Sequence, residues 1–312
     1  MEYRKLGNSG LKVSPLCLGT MMFGDRTDAT EAARILGSAF DAGVNFIDTA
    51  DQYAKGESER ITGKLIASNR DYWVLATKGG NAMGPGPNQV GLGRKWIMQA
   101  IDLSLKRLGS DYVDVYYLHR YFGLSNFRGW RISEIIRLCR TMNVPQPVVC
   151  QPYYNAMNRQ PEVEILPACR YYGIGVVPYS PLARGVLTGK YKPNETPPEG
   201  TRAGRADKRM METEFRKESL AIAQKIRAFA EKKGTSAGHF AINWVLNNAI
   251  VTSVIGGPRT LEQWQDYLKA LEFKFEPKGE ALVDSLVSIG HPSTPGYNDP
   301  QYPLTGRVPL LS

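Results

Sequence analysis

Short apolar runs alternate with amphipathic, helix-length segments along nearly all of this 312-residue sequence, and the apolar runs number eight. Apolar runs without polar alternation read as strands buried on both faces, the kind found in parallel sheets covered by helices. Eight such units with no linker between them predict an α/β fold of the (β/α)8 TIM-barrel type, one domain over 1–312. The hydrophobic share of 42% is enough for one core of that size.

The chain opens on a hairpin, YRKLGNSGLKVS, with Asn8, Ser9 and Gly10 at its turn. Candidate strands follow at LCLGT (16–20), NFIDTA (45–50), WVLATK (73–78) and VDVYYLH (113–119). The remaining four are YFGLSN (121–126), VVCQP (148–152), GVVPYS (175–180) and TSVIGG (252–257). A capping box of Asp28 and Glu31 starts the first helix, Ile35, Leu36, Ala39 and Phe40 form its apolar face, and Gly43 ends it. Ile97, Ile101, Leu105 and Leu108 mark a helix that stops at Gly109. Trp130, Ile135, Ile136 and Cys139 mark another, and Leu261, Trp264 and Leu268 the last. Residues 183–214, rich in Gly, Pro and charge, are too long for an ordinary βα connection and predict a mobile loop on the active face. GPGPNQVG (84–91) lacks the spacing of a nucleotide fingerprint and reads as a flexible pocket wall. The tail after Ser288 has no periodicity and reads as extended surface chain, which gives the expected N-terminal hairpin and long loops their place around the barrel.

One junction breaks the rhythm. Only His119 and Arg120 separate strands four and five. Parallel neighbours require a return of roughly 16 Å along the strand, and two residues span only about 7 Å. A right-handed crossover takes about a dozen residues at least. His-Arg also lacks a residue that favours the left-handed region, so a tight hairpin is disfavoured. The spacing predicts that the connection between strands four and five, a loop-helix-loop of roughly 25–30 residues, is missing from this sequence, either left out of it or deleted from the protein; the exposed strand surface that a deletion would leave favours the former.

Composition narrows the chemistry. Lys and Arg number 39 against 30 Asp and Glu, a net charge of +9 that favours a phosphorylated small ligand. Most of that excess reads as solvated surface, and the densest basic cluster, TRAGRADKR (201–209), has no interleaved aromatic residue for base stacking, so no nucleic-acid partner is expected; the cluster lies in the long loop region, Arg184 to Arg209, expected to help set pocket specificity. No apolar run is long enough to span a membrane, and the polar stretch from Met1 to Lys12 is unlike a secretory signal, so a cytoplasmic protein is expected. The four cysteines, Cys17, Cys139, Cys150 and Cys169, stand singly in apolar contexts and suggest neither a metal site nor disulfides.

In a (β/α)8 barrel the reactive groups stand at the carboxyl ends of the strands. Asp48 ends the second strand, Lys78 the third and His119 the fourth, and Tyr53 follows the second in its loop. A tyrosine beside a lysine ammonium has its phenolate stabilised and its pKa lowered, and a carboxylate fixes the lysine. An imidazole can hold a substrate carbonyl oxygen against the hydroxyl. With no metal site and no activated nucleophile, the expected chemistry is reduction of a carbonyl by hydride from a cofactor. His239 and His291 read as structural.

The ordered motifs DAGVNFIDTADQYAKGESE (41–59), LATK (75–78), YYLH (116–119), GLSN (123–126), QPYYN (151–155), YSPLARGVLTGKY (179–191) and VIGGPRTLEQ (254–263) resemble the aldo-keto reductase superfamily over essentially the whole length. The resemblance implies a catalytic tetrad of Asp48, Tyr53, Lys78 and His119, with Tyr53 as general acid, and NADPH/NADP+ as cofactor. It implies that Ser125, Asn126 and Gln151 hold the nicotinamide carboxamide and that Tyr179 stacks on its ring. Ser180, Leu182, Gly185 and Leu187 would surround the pyrophosphate, although Leu182 and Leu187 fit a place in the core equally well. Gly256, Arg259 and Gln263 would serve the adenosine end, Arg259 pairing with the 2′-phosphate as a guanidinium at a helix N-terminus can. Where the family commonly has asparagine against the adenine, this chain has Tyr267. The expected partner is a small-molecule carbonyl substrate. The potassium-channel beta-subunit branch is similar and keeps the same tetrad, so a cofactor-binding, redox-sensing subunit is the alternative reading.

Overall fold

The computed structural model describes residues 1–118 and 127–301. β1 (Arg4–Lys5) and β2 (Lys12–Val13) form the expected antiparallel hairpin. Strands and helices then alternate: β3 (Leu16–Gly19), α1 (Ala29–Asp41), β4 (Phe46–Asp48), α2 (Glu57–Ile66), β5 (Val74–Gly79) and α3 (Arg94–Leu108). The middle of the chain supplies β6 (Val115–Leu118), α4 (Gly129–Thr141), β7 (Val149–Cys150), α5 (Ile165–Tyr172) and β8 (Gly175–Val176). Three helices, α6 (Lys208–Thr213), α7 (Lys217–Lys232) and α8 (Ala237–Leu246), precede β9 (Val254–Gly256), and α9 (Leu261–Ala270) and α10 (Pro277–Leu286) follow it.

Asp28 caps α1 as its sequence pattern requires: its side chain accepts the Glu31 backbone N–H at 2.8 Å. Gly43 follows the helix in the left-handed region, which lets the Val44 N–H return to the Ala39 carbonyl at 2.9 Å. Each described strand after the hairpin lies within one residue of an expected window. Except for β5, the paired segments are shorter than those windows.

Five strands pair in parallel in the order β6-β5-β4-β3-β9, and β7 pairs with β8. The two groups are joined where Thr252 N donates to Val176 O at 2.8 Å and Ile255 N to Pro178 O at 3.0 Å. The result is a parallel arc with β6 at one end and β7 at the other. The fifth candidate strand, 121–126, and the junction after β6 lie outside the described residues.

Alternation along each strand sorts side chains into two cores. Leu16, Leu18, Ile47, Leu75, Cys150, Val176 and Val254 face the helices in the larger cluster. On the other face Cys17, Phe46, Val74, Ala76, Val115, Tyr117, Val149 and Val177 pack together with Leu6 and Val13 of the hairpin. Residues from both ends of the arc therefore meet inside its curve, and the hairpin covers the amino ends of the strands. The same parity carries Asp48, two residues after Phe46, and Lys78, two after Ala76, to the inner face at the carboxyl ends.

The segment 183–214 is more structured than a mobile loop: it carries a 3-10 turn over Ala183–Thr188 and α6, tied by Arg184 to Glu214 at 2.9 Å. The tail after Ser288 is irregular as expected, yet it is anchored: Arg159 N donates to His291 O at 3.0 Å, and Arg209 pairs with Asp299. Among the described residues no helix is long and apolar enough to cross a membrane.

Candidate active site

β4 and β5 are adjacent, with Asp48 in register with Ala76, so Asp48 and Lys78 rise side by side from the inner face. The Lys78 ammonium donates to Asp48 Oδ1 at 2.5 Å, to the Thr49 carbonyl at 2.7 Å and to Tyr53 Oη at 3.1 Å. All three donors of the lysine are used, which fixes the charge beneath the phenol. Gln151, just past β7, donates from Nε2 to Asp48 Oδ2 at 3.1 Å and so closes the second oxygen of that carboxylate.

Tyr53 owes its position to an unusual turn. Ala54, Lys55 and Gly56 all have positive φ, 47°, 55° and 90°, and together they reverse the chain directly into α2. Non-glycine residues rarely adopt this region, and such strain is held only where the surroundings fix it. Gly56 suits the turn because a side chain at φ 90° would be strained, and an added Cβ would stand 2.6 Å from Arg107 Cδ.

The electrostatics correct one expectation. Burial raises the Tyr53 pKa above its usual value of 10.0, Lys78 pulls it down, and Asp48 and Asp51 push it up, so the net shift is upward and not downward. For Lys78, burial works toward a lower pKa, but Asp48 and Tyr53 outweigh it and carry the ammonium up to about 12. The lysine is thus a permanent cation, and the phenol keeps its proton at neutral pH.

Tyr53 and Asp48 stand in the wall of a cavity of about 420 Å3 that runs from the ends of β3 and β4 to the start of α9. Gln151, Tyr179, Ser180, Leu182, Gly185, Arg259 and Gln263 all line it, as the motifs lead one to expect. Tyr179 stacks against Tyr153 with ring centroids 5.6 Å apart. Arg259 precedes α9, whose first turn is capped by Thr260, and Gln263 Oε1 accepts the Arg259 N–H at 2.9 Å. Leu187 is elsewhere: it is wholly buried in the helix-facing core, where an apolar side chain gains more than at a polar rim. Gly256 is also set back, because the ring of Tyr267 covers it, and Gly257 takes its place in the lining. Residues 84–91 form no part of the cavity wall. His119, Ser125 and Asn126 lie outside the described residues.

Sequence reasoning missed the cationic rim. Arg184, Lys190, Arg202 and Arg209 join Arg259 around the cavity. Arg202 and Arg209 come from the cluster 201–209, within the loop expected on the active face. Among the described residues Lys190, Arg202 and Arg259 have no carboxylate partner. Ser180, Ala183, Arg184 and Gly185 lie in the left-handed region beside them. Backbone turns of this kind present N–H groups to anions, so cradle and cations together fit a phosphate-bearing cofactor.

A parallel α/β fold that gathers a lysine-tethered tyrosine and an anion-binding cleft at its strand ends has the makings of an oxidoreductase. The chain belongs to the aldo/keto reductase family, whose sequence model matches residues 15–122 and 120–288. It is 36% identical to a probable voltage-gated potassium channel subunit beta of Arabidopsis thaliana, over 87% of this chain and 92% of that protein. Bacillus subtilis has an uncharacterized oxidoreductase, YrpG, at 35% identity over 92% of this chain and 96% of its own. L-glyceraldehyde 3-phosphate reductase of Escherichia coli K12 is 31% identical over 93% of each. The two family matches meet at 120–122, the junction where the crossover is expected. The alignment to the Arabidopsis protein runs over 304 positions, whereas 87% of 312 residues fills only about 271, so about 33 positions hold no residue of this chain.

Proposed function

We propose that this protein reduces aldehydes or ketones to alcohols with NADPH, at the carboxyl ends of the strands of a closed, single-domain (β/α)8 barrel. The hydrogen bond of 3.1 Å between Tyr53 and a Lys78 already fixed by Asp48 is the observation that supports it most. When bound, the cofactor would supply a hydride to the carbonyl carbon. Tyr53 gives its phenolic proton to the carbonyl oxygen, and the Lys78 ammonium stabilises the phenolate left behind. Asp48 holds the lysine in place. Through the family resemblance, His119 orients the carbonyl oxygen, and Ser125, Asn126 and Gln151 hold the carboxamide against Tyr179. Ser180, Leu182 and Gly185 cradle the pyrophosphate, and Arg259 takes the 2′-phosphate, with Gln263 bracing its backbone.

Arg259→Ala is expected to weaken NADPH at least about tenfold, the loss of one charge-assisted contact, and NADH hardly at all. Fluorescence titration with both cofactors checks this, and equal losses would remove the 2′-phosphate assignment.

A second reading is favoured by the Arabidopsis relative, whose name is that of a channel subunit: a redox-sensing subunit that binds the cofactor with little turnover. Steady-state assays with small aromatic aldehydes separate the two. Sustained NADPH consumption supports the reductase, and a single equivalent consumed by protein that binds NADPH would leave only the sensor.

A further inference from the structure

Behind Tyr53 and Lys78 lie two more carboxylates that the chemistry above does not use. Asp51 sits two residues before Tyr53, is 1% exposed, and is pinned by its backbone N–H to the Lys78 carbonyl at 3.0 Å. Neither of its carboxylate oxygens is hydrogen-bonded, and the Gln52 backbone amide gives only partial support. Glu59 of α2 is wholly buried but well served, by Thr77 Oγ1 at 2.6 Å and by Arg107 Nε of α3 at 2.5 Å. Arg107 is therefore committed to Glu59, and Lys78 to Asp48, Thr49 and Tyr53. From β6, Tyr116 faces the same space with a buried hydroxyl that has no partner.

A carboxylate with so little hydrogen-bond support, next to a second carboxylate and shut from water, is a high-energy anion. Burial first, then Glu59, push the Asp51 carboxyl from its ordinary 3.8 up to about 7, and Arg107, the Gln52 amide and Lys78 offset this only in part. We propose that Asp51 carries a proton in the working protein and, by releasing it to solvent, makes Tyr53 a weaker proton donor. Charge on Asp51 opposes charge on the phenol, as does that of Asp48. Asp51 does not line the cavity, so it is a positioning residue. Its effect rests on Tyr53 being the general acid.

Asp51→Asn keeps the shape and removes the titration. In the folded wild type Asp51 holds its proton up to about 7, whereas the unfolded chain releases it near 3.8. Wild-type stability is therefore present in full at acid pH and is lost as pH rises toward 7, then levels off. The variant escapes that loss, so its melting temperature relative to wild type rises between pH 4.5 and 8. In the pH profile of reduction, wild-type kcat falls about threefold through neutrality, and in the variant that fall is absent. Asp51→Ser, which also lacks the carboxyl, stands in if the asparagine variant does not fold. Parallel melting curves, or an unchanged pH profile, overturn the assignment. A wild type that reduces no carbonyl overturns the role of Tyr53 and the coupling with it, while the melting curves report the Asp51 proton by themselves.

Discussion

Replacing Tyr53 by phenylalanine is expected to lower kcat for carbonyl reduction about 1,000-fold and to leave NADPH affinity unchanged. The substitution removes one oxygen, the one that Lys78 touches at 3.1 Å, and keeps the ring whose face lies 4.7 Å from the same ammonium. Packing and the Lys78–Asp48 pair survive, so the loss falls on the chemical step and not on binding. Single-turnover kinetics with NADPH, beside a titration of cofactor binding, give the two numbers needed. Near-normal turnover in the variant would refute Tyr53 as the proton donor. The upward pKa shift of Tyr53 sharpens the expectation, because a phenol that retains its proton at neutral pH is stocked for reduction.

Gly63→Ala should destabilise the protein by about 3 kcal/mol, although alanine in a helix ordinarily gains about 1 kcal/mol over glycine. Gly63 lies within α2 and faces the last turn of α3. An added Cβ would stand 2.0 Å from the Leu108 carbonyl oxygen and 2.5 Å from its carbon, both backbone atoms that cannot rotate away. The end of α3 must move, and it carries Arg107, so the pair with buried Glu59 stretches as well. Urea denaturation measures the effect through the shift in midpoint at constant slope. A variant as stable as wild type would mean that α2 and α3 do not approach this closely.

What the sequence makes legible follows from what each signal encodes. Continuous apolar runs encode burial on both faces, and the described parallel strands all fall in such runs. The ends of those runs made Asp48 and Lys78 readable, since strand parity fixes the direction of a side chain. Tyr53 was readable from its nearness to them, but the sign of its pKa shift was not, because burial depends on how α2 and the loops close over the ring. Asp51 gave no signal at all: a polar residue in a polar turn looks exposed, and only the fold shuts it from water. The loop that carries Arg202 and Arg209 was readable as part of the active face, but not which of its charges turn over the cavity, because that depends on long-range packing. Leu187 and Gly256 stand back from the cavity wall, since a motif gives spacing, not which of two adjacent residues faces inward.

The N-terminal hairpin bears on how the chain reaches its final form. Leu6 and Val13 seal the foot of the inner core, Asn8 N reaches the Gly173 carbonyl at 2.9 Å, and Arg4 donates to Leu246 O and Val251 O at 3.3 and 3.1 Å. Residues of the hairpin thus have partners far along the chain, up to 247 residues away for Arg4 and Val251. Contacts of such sequence separation carry a large loop-closure entropy and form late. The hairpin is therefore expected to close late, as a latch over the foot of the inner core.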